Sequence, residues 1–291
     1  MKKVARFVAV ASFGFLCATA LAAQDSQATS IPKVLQITRE FIKPGRNGAA
    51  HEKTEAAYVQ AMAKANWPTH YLAVTSMSGK SRALFMTRYD SFEALEKDVA
   101  AQQKNTALSA ALDRANTADG ELLDGVDQGI FFYNEEQSLR PRGDLSKMRF
   151  LEVSLYQVRP GHRHDWDELV KMVKAAYEKS DPDVHWGTFE QRYGGEGGAF
   201  LVLQAHKSLA ELDKDPEREK KFAEAMGDGM KKFGELYAEA VSTSQHQLFA
   251  FSPSLSYIYP EWAKADPEFW QVKPAANAMA KMNMTEKKAK P

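Results

Sequence analysis

The feature that most constrains the fold of this sequence is an internal repeat. The segment Leu151–Gly161 (LEVSLYQVRPG) resembles Leu35–Gly45 (LQITREFIKPG) at an offset of 116 residues. The segment Ser208–Asp215 (SLAELDKD) resembles Ser91–Asp98 (SFEALEKD) at an offset of 117 residues. Two matches at nearly one offset indicate a tandem duplication, so the chain is expected to contain two copies of one folding unit.

Hydrophobic periodicity and turn residues predict the same order of elements, β-α-β-β-α-β, in both copies. In the first copy the predicted strands are 34–42, 70–77, 83–89 and 130–133, and helical sequence covers 49–66 and about 91–126. In the second copy the predicted strands are 150–158, 185–192, 199–206 and 247–251, and the helices are 165–179 and an interrupted 208–243. This order is that of the ferredoxin-like α+β unit, which has a sheet with helices on one face. Because the other face needs a cover, the two units are expected to pack sheet to sheet.

The start of the chain has the pattern of a secretory signal peptide, which we assign to residues 1–23. Lys2, Lys3 and Arg6 precede an apolar run that is shorter than a membrane span, and Ala20-Leu21-Ala22 matches an A-x-A cleavage site. Cleavage after Ala22 or Ala23 predicts a periplasmic or secreted protein.

Cleavage would also remove Cys17, the only cysteine, and would change the net charge from zero to −3. A cysteine-free mature chain cannot rely on disulfides, so its stability must come from its core. A slightly acidic chain gives no electrostatic reason to expect binding to nucleic acid or to an anionic membrane. No later stretch is long and apolar enough to span a membrane.

The remaining boundaries follow from composition. The first unit is predicted at 33–133, a polar linker at 134–147, the second unit at 148–251 and a C-terminal extension at 252–291. The extension is rich in aromatic residues, which favours packing on the body as far as about Trp270. Those aromatic residues are Tyr257, Tyr259, Trp262, Phe269 and Trp270.

The element order, the strand–Pro-Gly–helix opening and the duplication resemble the dimeric α/β-barrel superfamily over about Val34–Phe251. This superfamily includes antibiotic-biosynthesis monooxygenase-like, NIPSNAP-like and EthD-like proteins, and tandem haem relatives such as chlorite dismutase. The resemblance implies a pseudo-dimeric α/β barrel and is compatible with a homo-oligomer. It also implies an oxidative activity, either without a cofactor or with haem, although no motif in the sequence supports haem.

The alternation of side chains separates two faces of the first strand of each unit. The apolar faces, with Leu35, Ile37 and Phe41 and with Leu151, Val153 and Leu155, are expected to meet the helices. The polar faces are then expected to lie between the two sheets, in a ligand cavity or in a water-filled seam with internal hydrogen bonds. Candidate ligand-binding residues of this cavity are Glu40, Tyr89, Glu152, Tyr156 and His206.

Two further candidates, His70 and His185, begin the second strands of the two units. Each imidazole could be a ligand or a general base, with Tyr156 or Glu152 opposite it in the enzyme that the resemblance implies. The alternative is that both units inherited a histidine that caps the strand. The run His162–Asp167 lacks the final histidine of a metallohydrolase motif, and Asp165 and Glu168 have the spacing of a helix capping box, so no metal site is predicted.

Three functional hypotheses remain open, and the residues alone do not decide whether the protein is an enzyme. The first is a periplasmic or secreted protein that binds a small molecule in a polar cavity between two sheets. The alternative is a cofactor-independent monooxygenase or a haem-dependent oxidative enzyme of the dimeric α/β-barrel type. A weaker hypothesis is an interaction module that uses the aromatic C-terminal extension. The mature chain contains no nucleophile elbow, no Cys–His pair and no dinucleotide-binding fingerprint.

Overall fold

The computed structural model describes residues 28–46 and 48–271. Their strands are β1 (Val34–Ile42), β2 (Tyr71–Ser76), β3 (Arg82–Tyr89), β4 (Leu123–Leu139), β5 (Phe150–Val158), β6 (Trp186–Tyr193), β7 (Ala199–His206) and β8 (Val241–Phe251). Their α-helices are α1 (Ala49–Lys64), α2 (Phe92–Lys104), α3 (Thr106–Gly120), α4 (Arg163–Ser180), α5 (Asp215–Met226), α6 (Gly229–Ala240), α7 (Pro260–Ala265) and α8 (Pro267–Trp270). Short 3-10 helices occupy Leu209–Lys214 and Pro253–Leu255.

The eight strands form one closed antiparallel barrel in the order β1-β3-β2-β8-β5-β7-β6-β4. Each half of the chain contributes four consecutive neighbours, and the halves are joined where β2 pairs with β8 and where β4 pairs with β6. The predicted mixed α+β class and barrel are confirmed. The two halves face each other across the barrel core, as the predicted sheet-to-sheet packing requires, and they also join edge to edge, so that the described strands close the sheet. The duplication itself stays a prediction.

The interior of the barrel is filled by apolar side chains, as expected for a closed barrel of eight strands. Leu35 and Ile37 of β1 and Leu151 and Val153 of β5 belong to this core. The expectation that these faces meet the helices is therefore wrong. Closure of the barrel turns the apolar face of each sheet inward, and it leaves the polar face outside, beneath the helices.

Strand β4 is much longer than predicted. Helix α3 ends at Gly120, and β4 extends to Leu139, into the segment whose polar composition suggested a linker. Gln137 and Ser138 are polar but buried, and they form hydrogen bonds with β6. The Trp186 Nε1 donates to the Gln137 backbone oxygen at 2.8 Å, and the Thr188 backbone N–H donates to Ser138 Oγ at 2.9 Å. These bonds hold β4 against β6 where the barrel closes.

The C-terminal extension covers one end of the barrel. Tyr259, Trp262 and Trp270 are buried and belong to the main core. Trp262 Nε1 donates to the Ala28 backbone oxygen at 3.0 Å, and Trp270 Nε1 donates to the Ser146 backbone oxygen at 2.6 Å. The predicted packing as far as Trp270 is confirmed.

The predicted signal peptide, residues 1–23, and the end of the extension after residue 271 lie outside the described residues. Among the described helices, none has the length and apolar character that a membrane crossing requires.

Candidate functional sites between the barrel and its helices

Two pockets lie between the outer face of the barrel and the helices, one in each half of the chain. The first pocket, of about 260 Å³, is lined by Gln36, Thr38, Glu40, Glu55, Tyr58, Met62, Trp67, Thr69, Tyr71, Phe85, Thr87, Tyr89, Asp98 and Gln102. The second pocket, of about 590 Å³, is lined mainly by residues of β5–β8 and α4–α6. The volume of the second pocket is in the range of small-molecule sites.

The wall of the second pocket is mainly aromatic. The barrel contributes Tyr156 and Trp186, and the helices contribute further rings, from Trp166, Tyr177, Phe222, Phe233 and Tyr237. Trp166 is held by a hydrogen bond from its Nε1 to Gln137 Oε1 at 3.1 Å. Aromatic walls with a few polar groups are typical of sites for flat organic molecules.

The polar groups of this pocket come from the outward faces of three strands. Glu152 and Ser154 lie on β5, Gln204 and His206 on β7, and His246 on β8. Glu152 is directly paired with Gln204 in the sheet, and Ser154 with His246. Neighbouring strands therefore bring these side chains together.

His206 is buried between two carboxylates. Its Nε2 lies 3.6 Å from Glu152 Oε2, and its Nδ1 lies 3.5 Å from Glu211 Oε2. Within the part of the chain that the structure describes, Nε2 has no hydrogen-bond partner. Both ring nitrogens therefore face carboxylates of the pocket wall.

His246 has a different environment, because it is exposed at the mouth of the pocket. Its Nδ1 lies 2.9 Å from Ser154 Oγ, and its ring contacts the Tyr156 ring edge-on at a centroid distance of 5.6 Å. When Nδ1–H donates to Ser154, Nε2 is left as an acceptor on a residue that lines the pocket. A general base needs this orientation of an imidazole.

Tyr156 cannot serve as a base near neutral pH. Burial raises the pKa of its phenol to about 12, and the neighbouring Tyr237 and Glu152 add to the shift. The phenol therefore keeps its proton and is available to donate a hydrogen bond to a bound molecule.

A buried carboxylate–imidazole cluster, made of Glu40, His51, Glu55 and Asp119, borders the first pocket through Glu40 and Glu55. His51 Nε2 lies 3.1 Å from Glu40 Oε2, 3.9 Å from Glu55 Oε1 and 3.8 Å from Asp119 Oδ1. Strand β1, helix α1 and the last turn of α3 each contribute to it. Desolvation raises the pKa of Glu55 to about 10, with Glu40 and Asp119 adding to the shift, and it also raises the pKa of Glu40.

Five of the candidate residues predicted from the sequence are divided between the two pockets. Glu40 and Tyr89 line the first pocket, and Glu152, Tyr156 and His206 line the second. The predicted location of these five residues between two sheets is wrong, because both pockets lie outside the barrel wall. The cavity between the sheets is small, at about 80 Å³, mainly apolar, and lined by His185.

His70 and His185 line neither helix-side pocket. The His70 ring is stacked between Tyr257 and Tyr259 with both centroid distances 4.6 Å. The His185 Nε2 lies 2.9 Å from the Ala205 backbone oxygen. In each case Nδ1 contacts the backbone oxygen of the residue two positions earlier. Both rings therefore brace the start of a strand.

Sequence reasoning missed His246 and three members of the cluster. His246 was excluded because the last strand was predicted to begin at Gln247, whereas β8 begins at Val241. The spacing of His51 and Glu55, four residues apart on a helix, could have shown that they share a face. No local signal could have placed Asp119 beside them, because its position depends on how α3 packs on α1.

Comparison with known proteins supports the fold. No protein-family model matches the sequence, and no curated protein sequence matches it. A monooxygenase-like protein from Fusobacterium nucleatum has a similar structure, with a TM-score of 0.50, 11% identity, and coverage of 75% of this chain and 91% of that chain.

An anthrone oxidase-like protein has a TM-score of 0.46, 13% identity and coverage of 76% and 94% of the two chains. A haem-binding protein from Thermus thermophilus has a TM-score of 0.43, 11% identity and coverage of 77% and 94%. The similarity to the Fusobacterium nucleatum protein supports the barrel fold, and the membership of the dimeric α/β-barrel superfamily stays a prediction. The NIPSNAP-like part of the resemblance stays a prediction.

The second pocket offers one free imidazole nitrogen, on His246 at its exposed mouth, but among the described residues it offers no free cation for the propionates of a haem. A haem iron needs an axial side chain whose ligand atom is free to approach it. The Nε2 of His206 instead faces Glu152 at 3.6 Å, and its Nδ1 faces Glu211. Arg218 is the one arginine or lysine that lines this pocket among the described residues, and it is paired with Asp181 and Asp215 at 3.1 Å. It is not free to bind the propionates.

Proposed function

We propose that the second pocket binds a small aromatic molecule and that the protein is a cofactor-independent oxygenase of that molecule. The observation that carries this proposal is the His246–Ser154 pair at an aromatic cavity of about 590 Å³. The reaction class agrees with that of the monooxygenase-like protein whose fold the chain shares. A polar cavity alone would suit binding, whereas an oriented imidazole beside aromatic walls also suits proton abstraction.

The chemistry needs a substrate that supplies the electrons itself. His246 Nε2 takes a proton from an acidic C–H or O–H of the bound molecule, and the resulting anion is delocalised over its rings. The Tyr156 phenol donates a hydrogen bond to the oxygen where negative charge develops. Dioxygen then accepts the electrons, and an activated methylene becomes a carbonyl: R₂CH₂ + O₂ gives R₂C=O + H₂O. The aromatic walls limit the access of water to the anion.

Anthrone, which has such a methylene, is a suitable probe for the full chain. We expect oxygen uptake with equimolar formation of anthraquinone, measured with an oxygen electrode and by absorbance. Replacing the base, His246→Gln, should lower the rate by about 100-fold or more. The control is His164→Gln, which removes an exposed imidazole of α4 that does not line the pocket and should leave the rate unchanged.

Three outcomes would contradict the oxygenase. They are equal oxygen uptake by the wild type and His246→Gln, a stoichiometric Soret band in the protein as isolated, and binding of anthrone without oxygen uptake. The last outcome, detected by quenching of tryptophan fluorescence, would leave a small-molecule binding protein.

We propose further that the protein is periplasmic or secreted and that its two halves arose by duplication. The basic start and apolar run of residues 1–23 and the two offset matches support these two proposals. N-terminal sequencing of the mature protein should give Ala23 or Gln24 as the first residue. A protein that starts at Met1 or Lys2 in the cytosol would contradict secretion.

A further inference from the structure

We propose that the carboxylate–imidazole cluster of Glu40, His51, Glu55 and Asp119 binds one divalent first-row transition-metal ion. This site borders the first pocket through Glu40 and Glu55, and it does not depend on the function proposed for the second pocket. Its donors would be three carboxylate oxygens and one imidazole nitrogen.

The geometry is close to that of a metal site. The four ligand atoms all lie within 4.8 Å of one another, and three side chains converge on one nitrogen, His51 Nε2. Ligand atoms at about 2.1 Å from a metal lie about 3.0–3.4 Å from each other. The cluster therefore needs a contraction of less than about 2 Å, which rotations of the side chains can supply.

Two buried carboxylate oxygens of the cluster lack a hydrogen-bond partner among the described residues. Glu55 Oε1 and Asp119 Oδ2 form no hydrogen bond within residues 28–46 and 48–271, although their side chains are only 3% and 1% exposed. His51 Nε2 can donate only one proton, and Glu40 is its nearest acceptor at 3.1 Å. Buried polar atoms without partners are costly, and a cation at the centre would satisfy both.

Charge balance gives an independent reason for a cation. In the described part of the chain, none of the three carboxylates forms an ion pair with lysine or arginine, and His51 is their shared partner. Three buried carboxylates cannot all be ionised beside one imidazole without further positive charge. The protons that Glu55 and Glu40 retain would be released when a metal ion binds.

The surroundings would support the ligands. Thr54 Oγ1 donates to Asp119 Oδ1 at 2.6 Å and so orients the oxygen that lies 3.8 Å from His51 Nε2. Glu40 and Glu55 also line the first pocket, which offers a path for the ion from solvent. Bonds of this kind orient ligands in known metal sites.

The donor set selects the class of metal. Imidazole is a good ligand for zinc, iron and other transition metals, and carboxylates suit manganese and magnesium. A mixed set of one nitrogen and three oxygens favours Mn²⁺, Fe²⁺ or Zn²⁺ over Mg²⁺ and Ca²⁺, which prefer oxygen alone. Sulfur ligands are absent from the cluster, which argues against Cu⁺.

The test uses the full chain after treatment with EDTA and desalting. Mn²⁺ alone is titrated into the protein, and free Mn²⁺ is followed by its EPR signal; Zn²⁺ alone is titrated by calorimetry. We expect one ion per chain, release of protons to the buffer and a rise in Tm with metal concentration. Glu55→Gln and Asp119→Asn should each weaken binding by about tenfold or more.

Glu121→Gln is the matched control. It removes an exposed carboxylate two residues from Asp119 and should leave the affinity unchanged. Glu55→Gln preserves the shape of the protonated carboxyl group, so the metal-free variant should keep its circular dichroism spectrum. If the Asp119→Asn variant does not fold, the His51→Gln variant is tested in its place.

Two results would overturn the proposal. The first is that the wild type binds neither Mn²⁺ nor Zn²⁺ more tightly than Glu55→Gln does. The second is that Glu121→Gln weakens binding as much as the cluster variants do, which would indicate diffuse attraction to surface carboxylates. The cluster would then be a proton-sharing network inside the protein.

Discussion

Both pockets lie outside the barrel wall, but they differ where the first strand of each half meets its helix. In the first half, Glu40 of β1 reaches His51 in the first turn of α1, with 3.1 Å between the oxygen and the nitrogen. In the second half, Tyr156 of β5 contacts Trp166 in the first turn of α4, with 5.2 Å between the ring centroids. A carboxylate–imidazole pair thus stands where the other half has an aromatic pair.

This difference shows how one scaffold produces two kinds of site. The barrel core is apolar in both halves, so the inward residues specify the fold. The outward residues of β1 and β5 are free to differ, since they face helices and solvent. The first pocket is smaller, at about 260 Å³, and is lined by five aromatic side chains and three acids, whereas the second pocket is about 590 Å³ and is lined by seven aromatic side chains and three acids. Only the second pocket has the size for a multi-ring molecule.

The comparison predicts that apolar packing holds the second pocket together. Trp166 is 3% exposed and contacts Tyr156 and Phe200. Trp166→Ala should therefore lower the free energy of unfolding by about 3–5 kcal/mol, measured by urea denaturation. The control is Tyr193→Ala, since Tyr193 is 60% exposed and its loss should cost about 0.5 kcal/mol or less. An equal loss for both variants would show that Trp166 is not part of a packed wall.

The second prediction concerns pH and the first pocket. The folded protein holds the pKa of Glu55 near 10, above its ordinary value of 4.5, through desolvation and the facing Glu40 and Asp119. The folded state therefore binds a proton that the unfolded state has released. Between those two pKa values, stability should fall as pH rises, by up to about 1.4 kcal/mol per pH unit.

Urea denaturation in EDTA between about pH 5.5 and 8.5 measures this slope. Glu55→Gln cannot ionise, so its slope should be smaller by up to about 1.4 kcal/mol per pH unit than that of the wild type. Glu40, whose pKa burial raises, and His70 and His185, whose pKa values burial lowers, remain in the variant and contribute to the slope that is left. The control Glu121→Gln should follow the wild type. Parallel curves for the wild type and Glu55→Gln would show that Glu55 is ionised in the folded protein.

Much of the fold could be predicted from the sequence, because it depends on local patterns. Alternation along β1 and β5 showed which residues share a face, and the aromatic residues of the C-terminal extension indicated packing as far as Trp270. The direction of those faces could not be predicted. It depends on the pairing of β2 with β8 and of β4 with β6, which joins residues far apart in the chain.

The candidate sites were predictable only in part for the same reason. Glu152, Tyr156 and His206 were grouped correctly from strand alternation, and they line one pocket. The sequence predicts that this polar face of β5 meets a second sheet. In the structure it meets helices α4–α6. The metal-ligand cluster needs Asp119 from α3, and only the packed structure brings it to His51.

The smallest expected effect tests whether the second pocket uses its phenol for recognition. Tyr156→Phe keeps the ring contacts with Trp166 and His246 and removes only the hydroxyl. The Kd for anthrone should rise about fivefold, which corresponds to one hydrogen bond of about 1 kcal/mol, while the free energy of unfolding changes by less than about 1 kcal/mol. Because the Tyr156 pKa is about 12, the difference in Kd should persist from about pH 6 to about pH 10.

Tyr193→Phe removes an exposed hydroxyl and should change neither the Kd nor the stability. Both quantities come from fluorescence titration and urea denaturation of the same samples. A lower stability of Tyr156→Phe with an unchanged Kd would show that its hydroxyl supports packing and that bound molecules do not contact it. The contrast between the two pockets would then rest on size and on the aromatic pair alone, since the phenol would have no part in binding.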